Sequence, residues 1–132
     1  MTSKRPPQNR RKPQPPGADA ELVKHCITGF SKPAIDTTDP AAVEQRTLEY
    51  LNQCVIDDCL PSVAGLAYWL NVSTREIQYW HSGSGGTKEH HRIIGRFYNV
   101  LEDIWHSDMM QGNIPPTAGI FTGKAYFHLK DN

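Results

Sequence analysis

A polar face between positions 75 and 82 carries the side chains of this sequence whose types and spacing are best suited to hydrogen bonding with a ligand. Its members recur at i, i+3, i+4 and i+7, which places them on one side of a helix; they are Arg75, Gln78, Tyr79 and Ser82. Arginine and glutamine can read base edges in a major groove, while tyrosine and serine commonly bind phosphate oxygens. The alternative is the ordinary polar outer face of a helical hairpin.

The residues before this face predict two short helices joined by a tight turn. Ser62 can cap a first helix, and Asn71 tolerates the left-handed conformation that ends one. Ser73, with Glu76 three residues later, has the pattern of a capping box for a second helix. A small residue, Ala67, lets the two helices approach closely, so the sequence predicts a helix-turn-helix. Ile77 and Trp80 are the predicted inward side chains of the second helix. Ser73 and Thr74, at the start of that helix, are added to the candidate DNA-binding residues.

The 132-residue chain has no net charge, but its charges are unevenly distributed. Residues 1–18 contain five cations and no acid, whereas the remainder holds nine lysines and arginines against fourteen acids. The same segment is rich in proline, which excludes a helix, so we expect a disordered basic arm. Such an arm can bind DNA phosphates without sequence preference, although a solubilising tail is the alternative. Its cations are Lys4, Arg5, Arg10, Arg11 and Lys12.

Beyond the arm, residues 19–38 are expected to form an irregular linker, and residues 39–82 the helix-turn-helix domain. Asp39 can cap a helix that opens with Pro40 and runs to about Asp57. Its predicted inward side chains are Val43, Leu48, Leu51 and Val55. The glycine-rich segment 81–86 lacks the residue order of a P-loop and the strand that precedes one, so we interpret it as a flexible connector.

A long helix is expected from about Lys88 to Gln111, and it is apolar around more of its circumference than a small hairpin covers. Such a helix needs partners on two sides, and the second partner can be another copy of the chain. Residues 87–132 are therefore predicted to form a helical oligomerisation region, unless the final segment folds back over that face. The predicted interface comprises Ile93, Ile94, Phe97, Tyr98, Leu101, Ile104 and Trp105.

The final segment predicts a short helix over residues 117–129, after Pro115 and Pro116 end the long one. The expected fold class is all-α: a helix-turn-helix core, a long helix and a short C-terminal helix, preceded by the disordered arm. The sequence contains no stretch of about 18 apolar residues, so no membrane span is predicted. The N-terminus also lacks the apolar core of a secretory signal.

Signals for catalysis, metals and cofactors are weak. No nucleophile–base pair or cofactor loop is recognisable, so the sequence predicts neither an enzyme nor a cofactor. Cys26, Cys54 and Cys59 have no zinc-type spacing and indicate an intracellular protein with reduced thiols. His90 and His91 are adjacent, and adjacent side chains point about 100° apart on a helix, so no metal site is predicted.

The order of these elements resembles the small terminase subunits, the DNA-packaging proteins of tailed phages and prophages. In that family a Pro-Thr-Val/Ile-x-Gly-Leu-Ala-x-x-Leu-Gly-Val-Ser segment precedes an aromatic-ended recognition helix. A long helix, a Gly-x-x-x-Pro-x-x-x-x-Phe turn and a terminal aromatic/Leu-Lys-Asp follow. The resemblance covers about residues 40–132, with Asn71 where the family usually has Gly. The matching positions are Pro61, Ser62, Gly65, Leu66, Ala67, Leu70, Val72, Ser73, Trp80, Gly112, Pro116, Phe121, Leu129, Lys130 and Asp131.

This resemblance implies a non-catalytic recognition subunit that works in the cytoplasm of a bacterial host. Such proteins assemble into homo-oligomeric rings, bind the packaging start site on viral double-stranded DNA, and bring it to the large terminase subunit, which carries the ATPase and nuclease. The residues alone also fit a small dimeric helix-turn-helix transcription regulator. A protein-interaction adaptor whose hairpin never meets DNA is a third hypothesis. A nuclease or recombinase fragment is the fourth, and no carboxylate cluster in the sequence supports it.

Overall fold

Residues 15–111 are described by the computed structural model, and their regular structure consists of five α-helices. In chain order these are α1 (Ala18–Phe30), α2 (Pro40–Ile56), α3 (Val63–Leu70), α4 (Thr74–Ser82) and α5 (Lys88–Met110). No strand forms within this range, so the predicted all-α class is confirmed. The cations of the basic arm and the predicted helix at 117–129 lie outside the described residues. None of the described helices is both long and apolar enough to cross a membrane.

Side-chain caps begin α2 and α3 where the sequence predicted them. Asp39 Oδ1 accepts a hydrogen bond from the Ala41 amide at 3.1 Å, with Pro40 in the first turn of α2. Ser62 Oγ accepts one from the Gly65 amide at 2.9 Å at the start of α3. Each bond satisfies an amide that the first turn of a helix leaves without an intrahelical partner.

Helix α1 corrects the expectation that residues 19–38 are irregular. Its N-cap residue, Gly17, offers no side-chain cap, and Leu22 and Ile27 stay exposed, so the local sequence signals for this helix are weak. The helix is held by its buried side. Gly29 lies so close to α3 that a Cβ there would be 2.5 Å from Trp69 Nε1. Packing against α3 therefore contributes to the stability of α1, as is usual for helices in proteins.

Helix α2 is rotated relative to the sequence-based expectation. Val43 is buried and Leu51 is half-buried against the core, as predicted, but Leu48 and Val55 are 56% and 80% exposed. Tyr50 is almost completely buried, and an aromatic ring buries more surface than a leucine, so its position turns Leu48 towards solvent. The buried side runs at helical spacing through Val43, Thr47, Tyr50 and Cys54.

One hydrophobic core is shared by α2, α3, α4 and α5. Its fully buried side chains come from all four helices and include Tyr50, Leu66, Leu70, Ile77 and Phe97. Within the described residues, the expected division between a domain at 39–82 and an oligomerisation region from 87 onwards is therefore not found. Residues on both sides of that boundary build the same core.

The apolar side chains of α5 also correct an expectation, because most of the predicted oligomer interface is buried within one chain. Helix α5 packs against α4 and also against α2, which accounts for its wide apolar coverage. Leu101 and Ile104 are half-buried. The five that are already buried are Ile93, Ile94, Phe97, Tyr98 and Trp105. These five cannot meet a second copy while the chain keeps this fold.

Two buried polar side chains hold the segment between α1 and α2 in place. Arg46 Nη1 donates to the carbonyl oxygens of Pro33 at 2.9 Å and of Trp69 at 3.0 Å. His90 Nδ1 accepts from the Thr87 amide at 3.1 Å, which leaves its Nε2 proton to be donated to a carbonyl 2.8 Å away in residue 37. Buried polar groups satisfied in this way fix the position of a loop that has no regular structure.

Candidate nucleic-acid interface

A three-residue turn connects α3 to α4. Asn71 ends α3 in the left-handed region at φ 56° and ψ 44°, and the Val72 amide donates to the Ala67 carbonyl at 3.1 Å. Ser73 is extended, and its Oγ accepts from the Glu76 amide at 3.1 Å. The Glu76 side chain does not complete the capping box predicted for this pair. The turn is nevertheless closed by hydrogen bonds on both sides.

The inner side of α4 is fixed in the core. Ile77 is 0% exposed and Trp80 is 2% exposed, as the sequence predicted. Ala67 is buried in α3, and Val72 in the turn packs against the same core. Because its inner side chains are anchored, α4 presents a defined outer face.

That outer face carries three polar side chains that are free to bind a ligand. Arg75, Gln78 and Tyr79 are all exposed. Their polar side-chain atoms form no hydrogen bond or ion pair with any residue between 15 and 111. A guanidinium, a carboxamide and a phenol hydroxyl therefore keep their donors and acceptors available at neighbouring positions on one helix.

The remaining predicted residues on α4 have different roles. The hydroxyl of Ser73 is occupied as the N-cap of α4. Ser82 Oγ donates to the Tyr79 carbonyl at 3.1 Å and lies 2.9 Å from Ser84 Oγ, so it closes the C-terminal end of the helix. Thr74 is exposed beside Arg75. The structure thus narrows the candidate reading face to Arg75, Gln78 and Tyr79, with Thr74 at its edge.

The glycine-rich segment after α4 wraps over Trp80. Gly83 ends the helix at φ 80°, and Gly86 has φ 70° at a point where a Cβ would lie 2.7 Å from Trp80 Cδ1. His91 Nδ1 lies 3.2 Å from the Trp80 carbonyl, at the last turn of α4. The glycines therefore permit close packing and a left-handed backbone, which is a structural use and not a phosphate cradle.

Helix α4 is also fastened to α5 by aromatic stacking. The ring of His81 stacks on Tyr98 with centroids 3.7 Å apart and planes within 6° of parallel. Trp80 contacts the His90 ring at a centroid distance of 5.0 Å. Because these contacts join residues ten or more positions apart, no local pattern in the sequence predicted them. They make α4 and α5 one packed unit.

Two further side chains near the turn were not predicted from the sequence. Lys32 and Tyr68 line an open groove together with Asn71 and Thr74, next to the start of α4. Lys32 Nζ lies 5.0 Å from the centre of the Trp69 ring, and Tyr68 is 53% exposed. The signal for Tyr68 was present in the sequence, since it lies opposite the inward residues of the first helix. A cation and a phenol here extend the candidate surface beyond α4.

The charge near this surface is sparse. Arg75 is the only lysine or arginine on α4, and residues 15–111 hold seven lysines and arginines against thirteen acids. Non-specific affinity for DNA comes mainly from cations that neutralise phosphates. The described body alone therefore offers few such contacts, and the basic segment that could supply more lies at positions 4–12.

Possible metal ligands occur in a separate place, between α1 and the end of α2. His25, Cys54 and Cys59 each offer a ligand atom there, and these atoms lie within 4.8 Å of one another. Sequence spacing did not reveal this group of three, because His25 is 29 positions from Cys54, the nearer of its two cysteines. The adjacent histidines on α5, in contrast, have separate partners in residues 37 and 80.

No family model, curated protein or solved structure matches the chain. The function is therefore inferred from the geometry around α4 and from the motif resemblance of residues 40–132.

Proposed function

We propose that this chain is a DNA-binding protein that inserts α4 into the major groove. The observation that carries the proposal is the outer face of α4, where Arg75, Gln78 and Tyr79 are exposed and unpartnered among the described residues. The helix that presents them is capped at both ends and anchored by Ile77 and Trp80. Pre-positioned donors and acceptors of these types match the hydrogen-bonding edges of bases.

The biological role we propose is that of a non-catalytic recognition subunit in a viral genome-packaging terminase. Its partners would be double-stranded DNA at the packaging start site and the large subunit that carries the ATPase and nuclease. The support is the resemblance of residues 40–132 to small terminase subunits, together with the α3–α4 arrangement expected of that family. The protein would then act in the cytoplasm of a bacterial host.

Repetition would compensate for the weak binding of each copy. One short helix with a single arginine offers few contacts, and the body around it is acidic. In a homo-oligomeric ring, several copies of α4 and several basic arms would act on one DNA molecule, which raises effective concentration. The buried residues of α5 cannot form that ring contact. Apolar residues left exposed on α1, such as Phe30 at 80% exposure, are available for it.

Substitutions on α4 test the DNA-binding proposal. A random-sequence duplex library, enriched with the wild-type protein, supplies the DNA. We expect Arg75→Ala and Gln78→Ala each to weaken binding to the enriched sequence roughly 5- to 150-fold, since a good bidentate base contact contributes about 1–3 kcal/mol. Fluorescence anisotropy at fixed salt measures the effect.

Arg96→Ala is the matched control for these variants. Arg96 is exposed on α5 and lines a groove formed with α2, so its loss removes one charge away from α4. We expect less than a threefold change in affinity for this variant. Equal losses for Arg75→Ala and Arg96→Ala, or no enrichment of any sequence, would contradict groove reading by α4 and favour the adaptor hypothesis.

A small dimeric transcription regulator is the second candidate function. The burial of the α5 stripe within one chain favours it, because the long helix no longer requires a large assembly. Native mass spectrometry of the full chain distinguishes the two. A species of about eight or more subunits would support the packaging role, whereas a dimer would support a regulator that binds a palindromic site. A monomer would exclude the ring.

A further inference from the structure

A cluster of potential metal ligands lies where α1 meets the C-terminal end of α2. One ring nitrogen of His25 and the Sγ atoms of Cys54 and Cys59 lie within 4.8 Å of one another. His25 is 7% exposed, Cys54 is 4% exposed, and Cys59 is half-buried. All three cysteines of the described residues, including the neighbouring Cys26, are free thiols. Two thiols and an imidazole thus converge in a largely buried site.

The end of α2 brings the two cysteines together. The Cys59 amide donates to the Cys54 carbonyl at 3.0 Å, and Asp58 between them adopts a left-handed conformation with φ 51°. This six-residue closure turns the chain back over the last turn of the helix. Cys54 on that turn and Cys59 on the returning chain therefore face the same space. His25 reaches it from the buried side of α1.

A carboxylate next to the cluster orients the histidine. Asp57 Oδ2 lies 2.6 Å from His25 Nδ1 and also accepts a hydrogen bond from Gln53 Nε2 at 3.0 Å. When the carboxylate is ionised it can only accept, so the imidazole donates its Nδ1 proton and keeps the free lone pair on Nε2. Histidines that bind metals commonly donate their second ring N–H to a carboxylate in this way.

We propose that His25, Cys54 and Cys59 bind one zinc ion that fastens α1 to the end of α2 and to the loop before α3. Thiolate and imidazole ligands together select zinc over magnesium or calcium. Ligand atoms around a tetrahedral zinc ion lie roughly 3.4–3.8 Å apart, so movements of about 1 Å close the site. Each thiol releases one proton as the ion binds.

A water molecule would fill the fourth position. A cavity of about 140 Å³ adjoins the cluster and is lined by His25, Cys26 and Cys59. Its volume is large enough for several water molecules. The role we assign is structural, since the ion would join three segments of the chain. The proposal is independent of DNA binding by α4, because none of the ligands lies on α3 or α4.

Cobalt titration of the reduced full-length chain tests the site directly. We expect one equivalent of Co²⁺ to produce a thiolate-to-cobalt charge-transfer band and the intense visible bands of tetrahedral coordination. One equivalent of Zn²⁺ should abolish these bands by displacement. Zinc should also raise the Tm of the wild-type protein by several degrees, because the ion binds the folded state preferentially. A wild-type chain that gives no charge-transfer band would overturn the proposal.

Single substitutions assign the ligands. Cys59→Ser and His25→Gln should each lose the tetrahedral spectrum and the zinc-dependent rise in Tm, while circular dichroism confirms that they remain helical. Cys26→Ser is the matched control, because this thiol lines the adjacent cavity without belonging to the ligand group. It should keep one equivalent of tetrahedral cobalt. Loss of the spectrum in Cys26→Ser with retention in Cys59→Ser would overturn the assignment.

Discussion

Gly65 illustrates how a single residue position is fixed by a distant one. The Ser62 amide donates to Tyr50 Oη at 2.9 Å, which places the phenol directly over the first turn of α3. Burial raises the pKa of Tyr50, so the hydroxyl stays protonated there. A Cβ on Gly65 would collide with this hydroxyl and lie 2.7 Å from Tyr50 Cζ. Only glycine fits while the phenol holds this position.

Gly65→Ala should therefore destabilise the fold, by about 1–3 kcal/mol, because overpacking shifts Tyr50 away from the Ser62 amide. Gly95→Ala is the matched control: the Cβ at Gly95 of α5 would meet nothing within 4 Å. That substitution should stabilise by up to about 1 kcal/mol through helix propensity. Urea denaturation followed by circular dichroism measures both. A Gly65→Ala variant as stable as Gly95→Ala would show that Tyr50 can move without cost.

The sequence identified Gly65 only through a family motif, and it could not supply the reason. Tyr50 is 15 positions away on another helix, so no local pattern connects the two. The same limit applies to the buried roles of Arg46 and His90, whose carbonyl partners are 13 to 53 positions away. The exposed positions of Arg75 and Gln78, by contrast, could be predicted, because they follow from helical spacing alone.

Among the elements, α3 and α4 were the most predictable. Their ends depend on Ser62, Asn71 and Ser73, which act on amides or backbone conformations within three residues of themselves. Helix α1 was missed because it lacks a side-chain cap and its stabilising contact is with Trp69. The rotation of α2 was misjudged for a related reason. Leu48 and Tyr50 both fit an inward face, and only tertiary packing decides between them.

Asn71 and Asp58 both have a left-handed backbone conformation at the end of a helix, and substituting them should change the free energy of unfolding in opposite directions. Asn71 ends α3 at φ 56°, and asparagine tolerates this conformation better than alanine does. We expect Asn71→Ala to lower the free energy of unfolding by about 1 kcal/mol, whereas Asp58→Gly at the end of α2 should raise it by up to about 1 kcal/mol. The second change also removes a negative charge from the C-terminal end of a helix.

Thermal unfolding of both cap variants measures these effects. Asn71→Gly serves as the control for the asparagine, since it keeps the backbone conformation without the side chain and should unfold close to the wild-type temperature. If Asn71→Gly were destabilised as much as Asn71→Ala, the asparagine side chain would be acting through contacts and not through its backbone conformation.

At the scale of the whole molecule, most of the apolar side chains predicted for an interface on α5 are buried within one chain. The sequence correctly showed that α5 is apolar around much of its circumference. A hydrophobic pattern predicts that a face is buried, but it does not identify the chain that buries it. Both sides of the helix are satisfied internally, by α2 and by α4. The cluster of His25, Cys54 and Cys59 was missed for the complementary reason, since its members come together only after three segments have packed.

The distribution of charge over the whole chain leads to a prediction about salt. Deleting residues 1–16 removes the five clustered cations and leaves an acidic body. We expect the truncated chain to bind duplex DNA more weakly and with a flatter dependence on salt. The slope of log K against log salt should fall by about 0.9 for each DNA phosphate that the arm neutralises. Affinity measured at several salt concentrations provides the slope, and an unchanged slope would show that this segment does not bind DNA.

The closed ends of α4 determine what calorimetry of a DNA complex would record. Ser73 and Gly83 terminate the helix, Trp80 and Ile77 hold its inner side, and the stacked rings of His81 and Tyr98 join it to α5. A helix that is already formed gives up little conformational freedom on docking. The part of the heat-capacity change that comes from docking α4 would then reflect the buried area of that contact, without the added contribution that accompanies coupled folding.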